Sequence, residues 1–285
     1  MSKSPSAPVA YLGPDGTFSH LVAMRRYPGR GGHPCATISE VFHSVAAGEA
    51  AVGIVPIENS SGGTITETVD LLIEQCGRLV IAEELALDVR LALLGTEGTP
   101  LGRIRAVHSH IMPLRHHRDW IRENLPAASL SECSSTAEAA RKAARTPSAA
   151  ALAAPGAAAL YGLSVLRFPV RPEAVNVTHF FVIAPAGHPA SRSPRRKTAI
   201  VAALPQTPGS LHRFLGPFAR AGVNLRRIVS RPVPGSPETY VFYLEVEGDS
   251  DAEPVAGALK GARRQAVRLE LLGSYPTRPR YRGTR

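Results

Sequence analysis

Short apolar runs alternate with segments of helical periodicity over the first two thirds of the chain. "VAYLG" from residue 9, "AVGIVPI" from residue 51, "RIRAVH" from residue 103 and "AAALAA" from residue 149 read as strands. Between them "TFSHLVAMRRY" and "TITETVDLLIEQCG" carry helix periodicity, and "STAEAARKAA" opens with a capping box from Ser135 to Glu138. "VTHFFVIA", residues 177–184, closes the series as a strand. Alternating β and α elements predict an open, mainly parallel sheet with helices on both faces.

The pattern then breaks. "PAGHPASRSPRR" (185–196) has no apolar period and marks a linker. Beyond it come a strand ("KTAIVAAL"), a helix with Leu211, Phe214, Leu215 and Phe218 on one face, and the strand "VNLRRIVSRP". "VPGSPE" is a turn, followed by the strand "TYVFYLEVEG", the helix "DAEPVAGALKGA" and the strand "VRLELLGSY". The order βαββαβ is that of a ferredoxin-like domain.

Within the strand pattern one stretch is out of character. "AVNVTHFFVIAP" sets Asn176, Thr178 and His179 into an apolar run. Either these groups pair inside the core, or the strand end opens into a site. A second candidate is the loop "IENSSGGTITET". After a strand ending near Ile57, Thr64 and Glu67 have capping-box spacing, and Ile65, Val69, Leu72, Ile73 and Cys76 form one apolar helix face stopped by Gly77. Asn59, Ser60, Ser61 and free backbone N–H groups would then gather at a helix N-terminus, which suits a carboxylate; an ordinary strand-to-helix turn reads equally well. "GPDGTFS" repeats this logic with Thr17 and Ser19 but lacks the third glycine of a dinucleotide fingerprint.

Composition and spacing argue against chemistry of other kinds. The net charge of +10 in 285 residues would suit nucleic acid, but aromatics are only 6% and no stacking platform interleaves the basic runs. The excess reads as a solvated linker (Arg192, Arg195, Arg196, Lys197) and tail (Arg278, Arg280, Arg282, Arg285). His108, His110, His116 and His117 raise a metal site, yet there is no HExxH spacing and no carboxylate inside the cluster, and Pro113 interrupts a single helix through it. Cys35, Cys76 and Cys133 give neither a disulfide framework nor a metal cluster. No signal peptide, membrane span, metal or cofactor is expected, and the expected location is cytoplasmic.

Together "YLGPDGTFS", "VPIENS", "STAEAA", "AALYGL", "NVTHF", "TPGSLHRFLGPFARAGVNLRRIVSRP" and "LLGSYP" resemble the prephenate dehydratase family with its C-terminal ACT domain. The resemblance implies an α/β, two-lobed, periplasmic-binding-protein-like catalytic domain over 8–184, the linker 185–196, a ferredoxin-like ACT domain over 197–276 and a basic tail over 277–285. It implies prephenate in the interlobe cleft, converted to phenylpyruvate with loss of CO2 and water. Thr178 and His179 would be catalytic, with Thr17, Ser19, Asn59, Ser60, Ser61, Asn176 and Phe180 binding substrate. Phenylalanine would act as effector at a subunit interface of a homodimer or homotetramer, through Gly209, Ser210, Leu211, Asn224, Leu225, Ser230 and Arg231.

Four departures stand out. The family reads Thr-Arg-Phe where this chain has Thr178-His179-Phe180, and Thr-Glu-Gly where it has Ser61-Gly62-Gly63. Its "HPQALAQC" becomes "HIMPLRHH" (His110 to His117), and Val229 replaces the Glu of a Glu-Ser-Arg-Pro motif. In a clamp on a carboxylate, an arginine exchanged for His179 trades a permanent charge for one that changes over roughly pH 5 to 8. The alternatives this opens are a non-aromatising prephenate decarboxylase and a catalytically silent amino-acid-binding regulator.

Overall fold

The computed structural model describes residues 7–171, 175–189, 193–233, 235–278 and 280–282; Arg192 and Arg285 lie outside them. The chain begins with β1 (Val9–Leu12), α1 (Phe18–Arg26), β2 (Gly32–Cys35), α2 (Ile38–Ala46), β3 (Val52–Asn59), β4 (Gly63–Thr64), α3 (Thr66–Glu74) and β5 (Leu79–Asp88). It crosses to a second lobe made of β6 (Ala92–Gly95), β7 (Ala106–Ser109), α4 (Ile111–His116), α5 (Arg118–Asn124), β8 (Ser129–Glu132), α6 (Thr136–Ala143), β9 (Ala149–Ala153), α7 (Ala157–Tyr161) and β10 (Ser164–Arg167). The strand β11 (Val177–Pro185) returns to the first sheet.

Instead of one mainly parallel sheet there are two mixed ones, ordered β2-β1-β3-β11-β5 and β10-β6-β9-β7-β8. The returning β11 lies antiparallel between β3 and β5, because the chain re-enters the first lobe from the opposite end. Two crossings join the lobes and are stitched together, Val89 N–H to Asn176 O at 2.7 Å and Val170 N–H to Leu91 O at 3.0 Å.

Residues 196–276 supply β12 (Arg196–Ala203), α8 (Ser210–Arg220), β13 (Leu225–Val233), β14 (Ser236–Glu247), α9 (Val255–Arg263) and β15 (Arg268–Pro276). Their sheet, ordered β13-β14-β12-β15, realises the predicted βαββαβ pattern. One face packs Phe214, Phe218 and Leu259 of the two helices; the other shares a single core with the first lobe, where Val201, Tyr243, Leu272 and Tyr275 meet Ile81 and Phe181. Gly273 of "LLGSYP" permits that approach, since a Cβ there would lie 2.7 Å from Ile81 O.

Three local expectations are corrected. Thr64 does not cap α3, which starts on Ile65 without a side-chain cap, because Gly63–Thr64 is drawn into pairing with Glu58–Asn59. Pro113 does not interrupt α4; it sits in the first turn, where its missing N–H costs nothing, and the break falls at His117. The linker and tail cations are not all solvated. Arg196 pairs with Asp249 at 2.6 Å, Lys197 with Glu84 at 2.7 Å, and Arg278 with Glu83 at 2.6 Å. On the free edge of β5, Thr277 bridges to Glu84 and Tyr281 to Leu87. No helix among the described residues is long and apolar enough to cross a membrane.

Candidate functional site

A cleft of about 450 Å3 opens between the lobes. Its floor is apolar, with Leu12, Phe18, Ile65, Leu91 and Phe180. Asn59, Asn176 and Thr178 reach it from the first sheet, Thr17 and Ser19 from the start of α1, and Ser134, Ser135 and Thr136 from the start of α6. His110, Met112, His116 and His117 on and around α4 face them.

The geometry turns on one amide. Asn59 Oδ1 accepts from the N–H groups of Ser61 at 2.9 Å and Gly62 at 3.0 Å, which fixes the side chain's orientation. Its Nδ2 therefore points at Asn176 Oδ1 (2.7 Å) and Thr178 Oγ1 (2.8 Å). Because Thr178 Oγ1 accepts this bond, its own O–H is left to donate into the cleft. The alternative of a sealed Asn–Thr–His core cluster does not hold: Asn59, Asn176 and Thr178 line an open cleft, and His179 leaves the group.

How Asn59 comes to face Thr178 follows from a bulge. Phe180 pairs with Pro56 and His179 with Glu58, so β3 carries one extra residue, Ile57, between the two pairs. The extra residue flips the alternation of β3 beyond it. Asn59 is thereby aimed into the cleft beside Thr178, and Glu58 goes to the other side beside His179.

That other side corrects the expectation for His179. Successive residues of a strand point to opposite faces, so with Thr178 in the cleft the His179 ring lies behind the sheet. There its Nδ1 meets Glu84 Oε1 at 3.0 Å, in a polar cavity of about 900 Å3 against the third sheet. Around that cavity a chain of ion pairs runs from Glu58 to Arg227, Glu245, Lys197 and Glu84. Burial alone would raise the Glu84 carboxyl, but hydrogen bonds and charge from His179 and Lys197 hold it below the usual carboxylate range. His179 thus stands 3.0 Å from a carboxylate, on the wrong face to touch a cleft ligand.

Ser60 and Ser61 are corrected too. Ser60 is tied at both ends to Val177, its N–H donating to the carbonyl at 2.8 Å and its hydroxyl accepting from the N–H at 3.0 Å. The N–H groups expected to be free are consumed by Asn59 and Val177, so this turn braces the site rather than cradling an anion. Thr17 lines the cleft while capping α1, its hydroxyl donating to Leu12 O at 3.0 Å.

Ser135 caps α6 as its capping-box spacing requires, accepting from Glu138 N–H at 3.0 Å. Its place in the cleft with Ser134 and Thr136 had no separate signal. No group of three or more His, Cys, Asp or Glu side chains placed to hold a metal ion occurs among the described residues.

On the third sheet Gly209 (φ +77°), Ser210 and Leu211 border a second pocket of about 330 Å3 with Tyr240 and Phe242. Within one chain Asn224, Leu225 and Ser230 do not line it. Arg231 is drawn elsewhere, pairing with Asp70 of α3 at 2.5 Å.

Two family models match the chain, one described as prephenate dehydratase over residues 9–188 and one as ACT domain over residues 198–264. A bifunctional chorismate mutase/prephenate dehydratase of Stutzerimonas stutzeri is 37% identical over 273 residues, spanning 94% of this chain and 73% of that protein. A solved prephenate dehydratase of Arthrobacter aurescens, in complex with L-Phe, is 35% identical with a TM-score of 0.84, covering 94% of this chain and 89% of that one. A structure described as GqqA, a novel type of quorum quenching acylase, is 31% identical with a TM-score of 0.85, covering 95% and 98%.

Proposed function

This chain belongs to the prephenate dehydratase family and carries an ACT domain, and on that premise we propose that it is a lyase converting prephenate to phenylpyruvate, CO2 and water. The ring carboxylate leaves as CO2, its electron pair enters the ring, and the ring hydroxyl departs with a proton as water. Aromatisation drives the reaction, so the protein's task is to hold the dianion and stabilise the leaving oxygen.

The observation that carries the reading is the Asn59–Thr178 contact at 2.8 Å. It aims the Thr178 O–H at the cleft, where a hydrogen bond to the departing hydroxyl would strengthen as charge develops. The apolar floor suits the ring. Since Thr178 is held by an amide and not by a base, the lyase reading is favoured over the acyl hydrolysis named for the GqqA neighbour. The case for a non-aromatising decarboxylase weakens as well, because position 179 is outside the cleft and its exchange for histidine leaves the substrate's surroundings intact.

The assay is incubation with prephenate, following phenylpyruvate by absorbance and CO2 and any dihydro product by mass, with spontaneous conversion subtracted. Phenylpyruvate with equimolar CO2 supports the reading. A dihydro product that keeps the hydroxyl would sink it.

Phenylalanine is the effector in this proposal, bound at the Gly209–Ser210–Leu211 helix start with its carboxylate on the backbone N–H groups. Asn224, Leu225 and Ser230 would have to reach that pocket from a second chain. Support for such a dimer or tetramer comes from β13, an edge strand with Ile228 41% exposed and Tyr240 of its partner β14 43% exposed. Calorimetry with phenylalanine beside sedimentation reads both; no heat and a monomer would remove them. A cytoplasmic location goes with the reading, supported by three free thiols.

A further inference from the structure

α1 of the first lobe and α6 of the second both begin at the cleft, α1 with Thr17 and Ser19, α6 with Ser134, Ser135 and Thr136. In each, the N-cap hydroxyl is consumed by its own helix: Thr17 Oγ1 accepts from His20 N–H at 3.2 Å, and Ser135 Oγ from Glu138 N–H at 3.0 Å. The N–H groups of the two residues after each cap have no acceptor within their helix. The hydroxyls beyond the caps differ from the caps themselves. Ser19 and Thr136 are 6% and 8% exposed, line the cleft and have no hydrogen-bond partner among the described residues. A hydroxyl withdrawn that far from water is unfavourable unless something supplies it with a partner.

The two helix starts are fastened to one another. The Tyr161 hydroxyl of α7 donates to Asp15 O at 2.7 Å, just ahead of α1, and α7 shares a core with α6 through Ala157, Ala158, Ala139, Ala140 and Ala143. A Cβ on Gly16 (φ +89°) would lie 3.2 Å from the Tyr161 ring, so the turn before α1 sits directly on the second lobe. Nearby acids are turned aside: the Asp15 carboxylate accepts from the Tyr11 hydroxyl, Glu138 pairs with Arg141 at 2.7 Å, and neither lines the cleft. Two positive helix ends therefore border a space that no lysine or arginine lines among the described residues.

We propose that the N-termini of α1 and α6 form one carboxylate cradle spanning the cleft, with Ser19 and Thr136 as its substrate-binding hydroxyls. This rests on the dehydratase reading above. Each terminus offers a hydroxyl and first-turn N–H groups to one carboxylate of the dianion. Neutral donors also suit the chemistry. One of the two carboxylates leaves as uncharged CO2, so a permanent cation held on it would stabilise the ground state more than the transition state.

Ser19→Ala, Thr136→Val, their double variant and Thr136→Ser are to be compared in the full chain, by titration calorimetry with prephenate and by turnover to phenylpyruvate. Loss of either hydroxyl should weaken binding and raise KM by about tenfold, with kcat changed less than about threefold and the melting temperature kept. The double variant should lose about 100-fold in affinity, while Thr136→Ser, which keeps the hydroxyl, should stay within about threefold of wild type. A lower melting temperature at unchanged KM would reduce both residues to helix starts and overturn the assignment. So would a folded double variant that binds prephenate as the wild type does. Weakened binding in the variants of a protein that forms no phenylpyruvate sinks the dehydratase reading and leaves the cradle standing. A wild type that binds no prephenate removes both.

Discussion

Two faces of the same strand pair do different work. On the cleft face of β3 and β11 stand Asn59, Thr178 and Phe180, all uncharged. On the opposite face Glu58 and His179 enter a cavity dense with charge, where Arg227, Glu245, Lys197 and Glu84 are linked by ion pairs. Neighbouring residues in sequence are thus divided between a face that lines the cleft and a face that carries the charged junction. The lesson is that formal charge near a site, read along the chain, says little about charge in the site; which face of the pleat a residue occupies decides it.

The largest effect should come from the assembly face. Arg227→Met removes one of the two cations paired with Glu245, a fully buried carboxylate, and leaves Lys197 at 3.5 Å as the other. Breaking such a pair from one side costs about 3 to 5 kcal/mol, read as a drop in urea midpoint, while turnover at low temperature should stay near wild type. A variant as stable as the parent would mean the ion-pair chain holds nothing together.

On the cleft face the order reverses. Thr178→Ala should lower kcat by about 100-fold, equivalent to ~2.7 kcal/mol, with little change in melting temperature. Equal losses in both quantities would erase the contrast between the faces.

A smaller, pH-driven effect separates them again. The folded Glu83 and Glu84 carboxyls lie below the usual value of 4.5, Glu83 through Arg26 and Arg278, Glu84 through His179 and Lys197, in each case against the upward pull of burial. A carboxyl depressed on folding gives stability that is complete above its unfolded value and lost as pH falls through the folded one. Acid scans should therefore show the junction loosening below about pH 4.5, and Lys197→Met should blunt the Glu84 part. An unchanged acid profile in that variant would remove Glu84 from the account.

The smallest effect is expected at the position where the family motif differs. His179→Arg restores the family residue but points at Glu84, so kcat/KM should change by less than about threefold. A large gain in phenylpyruvate formation would return position 179 to the cleft.

Much of this was legible. The βαββαβ order, the Ser135 cap and the cluster of Asn59, Asn176 and Thr178 follow from local pattern and from the family motifs. That Thr178 and His179 oppose each other follows from strand alternation alone, although the motif invites reading them as a pair. Asn59 is different: its direction depends on the Ile57 bulge, which exists only in the pairing with β11. The strand β5 was hidden because Glu83 and Glu84 interrupt "LVIAEELALD", and the cations that make them tolerable, Arg26, Lys197 and Arg278, lie far along the chain. Long-range compensation leaves no local signal.

The strap that Thr277, Arg278 and Tyr281 lay along β5 has a consequence for the newly made chain. Strand β5 is at the edge of its sheet, and the bonds that cover it, Arg278 N–H to Glu84 O, Tyr281 N–H to Ala86 O and Asp88 N–H to Tyr281 O, need residues synthesised after β15. During translation the first lobe can assemble, yet its border stays open, with two adjacent carboxylates still short of Arg278 and Lys197. An exposed edge is a template for pairing with other chains, and inward-pointing charge is one way of keeping it unattractive. Glu83 and Glu84 would guard that border on the ribosome until their own partners emerge.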